Sequence, residues 1–215
     1  MMTEARPFPF IVGCQRSGTT LLRAMLDTHP EMAVPPESNF LPTLIESRSK
    51  YEGDAGFDVE GLVEDMFATR WIGRWELPRE LLVDALTARR VGSLADAMRC
   101  VYELYAQRKG KVRYADKTPD YVVALPAIAE LFPEARFIHV IRDGRDVALS
   151  LLELEWGPAS VAEAAIYWRD RVSAGRREGL RLRHRYLEVR YERLVAQPQE
   201  VLGEVCALVD LEPDA

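Results

Sequence analysis

The sequence predicts an α/β fold with a central parallel sheet flanked by helices, and three observations carry that expectation. Short apolar runs alternate with longer segments of helical periodicity, the pattern of a parallel sheet covered by helices. The first run, Phe8 to Val12, passes directly into the glycine-bounded loop Gly13-Cys14-Gln15-Arg16-Ser17-Gly18 and then into a helix. Another, Ala135 to Ile141, ends on Arg142 and is again followed by a helix. With 215 residues, 48% of them hydrophobic, the chain suffices for one well-packed domain and is too short for two of ordinary size.

Each element follows from local pattern. After the loop, Leu21, Leu22, Met25 and Leu26 recur at helical spacing, and His29 with Pro30 supplies the stop. From Pro30 to about Asp58 the prolines and glycines predict an irregular stretch. Helices are expected near Val59 to Ala68, Pro78 to Ala88 and Ser93 to Arg108, reading as an insertion on the substrate side. A short strand at Val112 to Ala115, a helix at Tyr121 to Leu131 and the strand at Ala135 to Ile141 restore the alternation. Helices from Asp143 to about Leu154 and from Val161 to Leu182, a strand at Tyr186 to Val189 and a helix around Gln199 to Val209 complete it.

Bulk composition excludes several classes. The net charge of −6 gives no support to nucleic-acid binding by bulk electrostatics. Arg169 to Arg193 holds nine arginines against four acidic residues, yet they scatter over several helix faces without interleaved aromatics and read as a solvated face. No apolar run approaches the roughly 18 residues of a membrane span. Three widely spaced cysteines match neither a disulfide framework nor a zinc pattern, which predicts a reducing, cytoplasmic setting. Cys14 lies in the loop, but no histidine neighbours it, and packing is the favoured reading.

The glycine loop carries the first chemical signal. Its backbone N–H groups and the positive end of the following helix, about half an elementary charge, converge on one point and favour an anion there. The nucleotide-hydrolase pattern GxxxxGK requires a lysine that reaches the outer phosphates. Thr19 stands in that slot, and the cation has moved to Arg16 inside the loop, where a planar fork of donors suits an anion attached to a phosphate. A second signal is Arg142 at the carboxyl end of a strand, with Ser150 two turns into the next helix. Two anion sites at one sheet edge imply a nucleotide phosphorylated at two positions. Taken alone, the segment reads first as Arg142 paired with Asp143 or Asp146 and Ser150 as a neutral helix residue.

With these residues in view, the chain resembles the sulfotransferases that use 3′-phosphoadenosine 5′-phosphosulfate (PAPS). Gln15-Arg16-Ser17-Gly18-Thr19-Thr20 is similar to their 5′-phosphosulfate loop, and Arg142 through Ser150 to their 3′-phosphate segment. Tyr191-Glu192-Arg193-Leu194-Val195, with Pro198 beyond, is similar to their Tyr-Glu-x-Leu-Val element. Among them the tyrosylprotein type, with a PRSGTT loop leading through LLDAHPE, is the nearest pattern. Its counterpart here is Arg16 to Thr20, then Leu26-Asp27-Thr28-His29-Pro30-Glu31. That register places the family's catalytic glutamate on Glu37, although Pro35-Pro36-Glu37-Ser38 departs from the family's Gly-Glu-Glu-Thr-Arg. Asp116-Lys117-Thr118-Pro119 is similar to the family's Asn-Lys-x-Pro turn and puts a second catalytic cation on Lys117.

The resemblance implies a P-loop-type three-layer fold, one domain over residues 1–215 with an insertion at about 43–110, and a C-terminal family segment that is missing. It implies sulfuryl transfer from PAPS, with PAP as product, to a hydroxyl or amine of a small-molecule, carbohydrate or peptide acceptor. Glu37, Arg16 and Lys117 are the implied catalytic residues. Arg16, Ser17, Gly18, Thr19, Thr20, Arg142, Ser150 and Tyr191 are the implied cofactor-binding set, and no metal is required. Glu37 and Lys117 also read as a solvated carboxylate and half of a surface pair. His29 reads as a helix stop and His139 as a buried structural group, whereas Trp71 and Trp75 are the aromatics favoured for an acceptor pocket. Two other classes stand beside the leading one: a kinase or nucleotide hydrolase of the same loop architecture, opposed by Thr19, and a non-catalytic PAP-binding fragment.

Overall fold

The computed structural model describes residues 6–54 and 56–212. Strand β1 (Phe8–Gly13), helix α1 (Thr19–Thr28) and the two-residue strand β2 (Met32–Ala33) come first. They are followed by α2 (Leu41–Glu46), α3 (Arg48–Tyr51), a hairpin of β3 (Glu52–Gly53) and β4 (Gly56–Phe57), α4 (Val59–Ala68), α5 (Arg79–Ala88) and α6 (Leu94–Arg108). The second half carries β5 (Arg113–Tyr114), β6 (Asp116–Lys117), α7 (Leu125–Leu131), β7 (Ala135–Ile141), α8 (Gly144–Leu152), α9 (Val161–Leu182), β8 (Tyr186–Arg190), α10 (Tyr191–Ala196) and α11 (Pro198–Leu208).

The main sheet has the order β6-β1-β7-β8 and every pairing in it is parallel. Both faces are covered, so β1 reads as an unbroken apolar run rather than an alternating one. The period of two then sorts its side chains. Phe8, Phe10 and Val12 enter one buried cluster with α4, α5 and α6, while Ile11 joins the opposite cluster with Leu22 of α1 and Val205 of α11. Three layers result. Because the strands are parallel and in register, their carboxyl ends share one edge, and the segments carrying Gly13 to Gly18, Lys117, Arg142 and Tyr191 all leave the sheet there.

Several elements differ from expectation for identifiable reasons. The stretch 30–58 is not irregular throughout: α2, α3 and the β3–β4 hairpin fold within it, anchored by buried Leu41, Leu44 and Tyr51. Arg113 and Tyr114 pair with Met32 and Ala33 outside the main sheet, and Asp116 and Lys117 form the strand that joins β1. The expected helix at 121–131 begins as a 3-10 turn, Pro119–Val123, before α7 starts with Pro126 in its first turn, where a missing N–H costs nothing. Trp75 is not a pocket residue. It is 2% exposed and packs edge-on against Tyr102 at 4.9 Å, while half-buried Trp71 lies under Arg70 and Arg74. Much of the arginine run is paired, with Arg171 on Asp120, Arg176 on Glu188 and Arg193 on Glu204. Among the described residues no helix is long and apolar enough to cross a membrane.

Candidate active site

The loop after β1 is shaped by two close approaches. A Cβ on Gly18 would lie 2.2 Å from the Tyr191 ring, and its φ of 91° is strained for any L side chain. A Cβ on Gly13 would meet the Val140 carbonyl oxygen at 2.5 Å. Gly18 is the N-cap of α1 and offers no side chain to cap it, so the first helical amides face the loop without an intrahelical partner. Ser17 is fully buried, and its Oγ has no hydrogen-bond partner among the described residues. Cys14 is fully buried too, and burial pushes its thiol up to about 12, which makes it a packing group rather than a nucleophile.

The second anion segment lies against the first. Arg16 Nε donates to Ser150 Oγ at 2.9 Å, and Arg142 donates to the Arg16 carbonyl at 3.4 Å. Arg142 also stacks over Tyr191 at 4.8 Å and approaches Asp146 at 3.5 Å, yet its Nε is buried with no hydrogen-bond partner among the described residues. Ser150 therefore touches Arg16, not Arg142. Two braces hold this turn: Trp168 Nε1 donates to the Arg142 carbonyl at 3.1 Å, and Glu192 accepts from the Asp143 N–H at 2.8 Å. Arg16, Ser17, Gly18, Arg142, Ser150 and Tyr191 thus come together, with buried Thr19 and exposed Thr20 opening α1 beside them.

Glu37 and Lys117 form one contact, with Lys117 Nζ 2.5 Å from Glu37 Oε1. The lysine side chain is only 7% exposed, so this is no solvated surface pair. The backbone beneath is fixed by a buried polar network. Ser38 Oγ lies 2.7 Å from Asp116 Oδ2 and 2.6 Å from the Tyr121 hydroxyl, the Ser38 N–H donates to Thr118 Oγ1 at 3.1 Å, and the Tyr102 hydroxyl donates to Asp116 at 2.6 Å. Burial raises the Asp116 carboxyl, and the hydroxyl donors oppose that shift. Asp120 ties the loop to α9: it accepts from Gln15 Nε2 at 2.6 Å and from Arg171 Nε at 3.0 Å. The roles of Asp116, Asp120, Trp168 and Glu192 escape sequence reasoning because their partners are distant in the chain. His139 is buried beside Tyr186, and desolvation lowers it to about 4, so it is a structural group.

Residues 7–215 match the Sulfotransferase family. The chain is similar to the nodulation protein NoeE of Sinorhizobium fredii, 31% identical over 99% of this chain and 53% of that protein. It is also similar to the protein-tyrosine sulfotransferase of Drosophila melanogaster, 26% identical over 95% of this chain and 38% of that one. It thus spans about half or less of the length of these two relatives. A solved structure, the sulfotransferase domain of the Synechococcus PCC 7002 olefin synthase, superposes with a TM-score of 0.68 at 29% identity, covering 100% of this chain and 78% of that one. Pattern, fold and relatives agree: the chain belongs to the sulfotransferase family.

Proposed function

We propose that this chain moves a sulfuryl group from PAPS to a hydroxyl or amine acceptor, with the glycine loop and the Arg142 turn holding the two phosphorylated ends of the donor. The observation that carries this reading is the pair of orphaned polar atoms. Ser17 Oγ and Arg142 Nε, one in each anion segment, are two of five buried side-chain polar atoms with no hydrogen-bond partner among the described residues, the others belonging to Trp75, Asp116 and His139. A buried donor without an acceptor costs about 1–3 kcal/mol, and an anion bound at each segment recovers it. The donor set is cationic and amide-rich, as a phosphorylated nucleotide requires. Thr19 in the lysine slot speaks against ATP chemistry.

When bound, PAPS supplies the sulfuryl group and an anionic leaving phosphate. Arg16 and the α1 amides hold the phosphosulfate end; Arg142, braced by Trp168 and stacked on Tyr191, holds the 3′-phosphate end. Lys117 places positive charge beside Glu37, and Glu37 accepts the proton of the attacking hydroxyl or amine. The scheme needs no metal, because side-chain cations and oriented N–H groups do the neutralising. The acceptor is a small molecule, a carbohydrate or a peptide, the last being the class that the names of the tyrosine-specific relatives carry. Three buried cysteine thiols suit a reducing, cytoplasmic compartment.

Transfer from labelled PAPS to a panel of alcohols, amines, sugars and tyrosine peptides tests the reading. Glu37→Gln and Lys117→Ala should each lower kcat by about 10²–10⁴-fold while PAP affinity stays within about threefold of the parent. Parental kcat in both variants would remove these residues from the chemistry. ATP competing as well as PAP would favour the kinase alternative.

A further inference from the structure

Between α2 and the 119–127 segment lies a cavity of about 480 Å³, lined by Asn39, Pro42, Ile45, Glu46, Asp120 and Ala127 among others. That volume is within the roughly 300–1,000 Å³ of small-ligand sites. Glu37 and Lys117 are not in the lining, but hydrogen bonds join it to Glu37 and to the glycine loop. Asn39 Nδ2 donates to Glu37 Oε2 at 3.4 Å, and Asp120 accepts from Gln15 of the glycine loop. Tyr121, also in the lining, reaches Ser38 beside Glu37.

The lining is chemically lopsided. Pro42, Ile45, Val123, Ala124 and Ala127 make an apolar wall, while the charged groups are Glu46 and Asp120, with no lysine or arginine in the lining. Asp120 is compensated by Arg171 at 3.0 Å, but Glu46 is exposed, and no ion pair to it is found among the described residues. An acidic acceptor placed here would set its charge against Glu46 without a cation to answer it, and like charges at a binding surface select against the wrong partner. An alcohol or amine with an apolar body pays no such penalty, and Asn39 offers amide groups to its polar end.

We infer that this cavity is the acceptor subsite and that it takes neutral or cationic amphiphilic alcohols and amines in preference to acidic acceptors such as acid-flanked tyrosine peptides. The inference rests on the sulfuryl-transfer reading only for what happens after binding. Occupancy itself is measurable without turnover.

Three probes with one body separate the possibilities: 3-phenylpropan-1-ol, 3-phenylpropylamine and 3-phenylpropanoate, each titrated by calorimetry and followed by NMR shifts with and without PAP. The alcohol and amine should bind at least about tenfold tighter than the carboxylate, and Glu46→Lys should narrow that gap. Ala127→Phe should weaken alcohol and amine binding by about tenfold or more through filling the cavity. Val123 is 58% exposed at the rim, so Val123→Trp serves as a second blocking change that does not strain the core. Carboxylate binding equal to or tighter than alcohol binding, or alcohol binding untouched by both blocking variants, would overturn the inference. PAP titrated into the same samples keeps the two proposals apart. Alcohol binding without PAP binding supports the cavity and sinks the donor assignment; PAP binding without alcohol binding does the reverse.

Discussion

Ser17 Oγ and Arg142 Nε are buried without hydrogen-bond partners among the described residues at the edge where four strand ends converge, and that cost has a consequence for single substitutions. Removing the Ser17 hydroxyl deletes an unsatisfied group, so Ser17→Ala should leave unfolding stability unchanged or raise it by about 1 kcal/mol. The same change should weaken PAP by about five- to tenfold. Urea denaturation beside calorimetry checks both, and a variant that loses stability would mean the hydroxyl has a partner in the folded protein. The sequence proposes Arg16 because the glycine loop fixes its place, and Glu37 only through the register that the resemblance supplies. The orphaned atoms were not legible, since burial depends on what the rest of the chain lays over them.

At the scale of elements, the Asp116 network explains how a loop carrying Glu37 is held to a strand carrying Lys117. Ser38 and Asp116 are the chain neighbours of Glu37 and Lys117, so their 2.7 Å contact sets the spacing of the Glu37–Lys117 pair. Asp116→Ala removes the Oδ2 acceptor shared by the buried Ser38 and Tyr102 hydroxyls. It should cost about 2–4 kcal/mol and lower kcat well beyond any change in PAP affinity, as unfolding and steady-state kinetics would show. A parental kcat in the folded variant would assign the network to stability alone. Sequence reading found the Asp-Lys-Thr-Pro turn but read only its lysine, because the partners of Asp116 stand 14 and 78 positions away. It bounded β7 and α9 well, where long periodic runs leave little choice. It missed α2, α3 and the β3–β4 hairpin, which are short and owe their order to tertiary burial rather than to propensity.

At the scale of the whole molecule, a buried histidine makes the stability of the core depend on pH. His139 sits within β7 with its Nδ1 2.6 Å from the Tyr186 hydroxyl, and its folded value of about 4 lies below the ordinary 6.5. The unfolded chain therefore binds the extra proton between those values. Stability from this group is fully present above pH 6.5 and is lost as pH falls toward 4, by about 3 kcal/mol in all. Thermal unfolding at pH 7 and 4.5 should show the fall, and His139→Gln should flatten it.

The sulfotransferase reading and the three-layer parallel fold were both visible in the sequence and are borne out by the family match and the sheet order. What joins them is one claim: the glycine loop and the Arg142 turn form a single site for a nucleotide with two phosphorylated positions. Titration of PAP into the parent chain and into Arg142→Ala, with adenosine 5′-phosphate as the control ligand, tests it directly. The parent should prefer PAP by at least about tenfold, and Arg142→Ala should remove that preference while keeping the 5′-phosphate affinity. Equal affinity of the parent for the two nucleotides, or an undiminished preference in the variant, would contradict the claim.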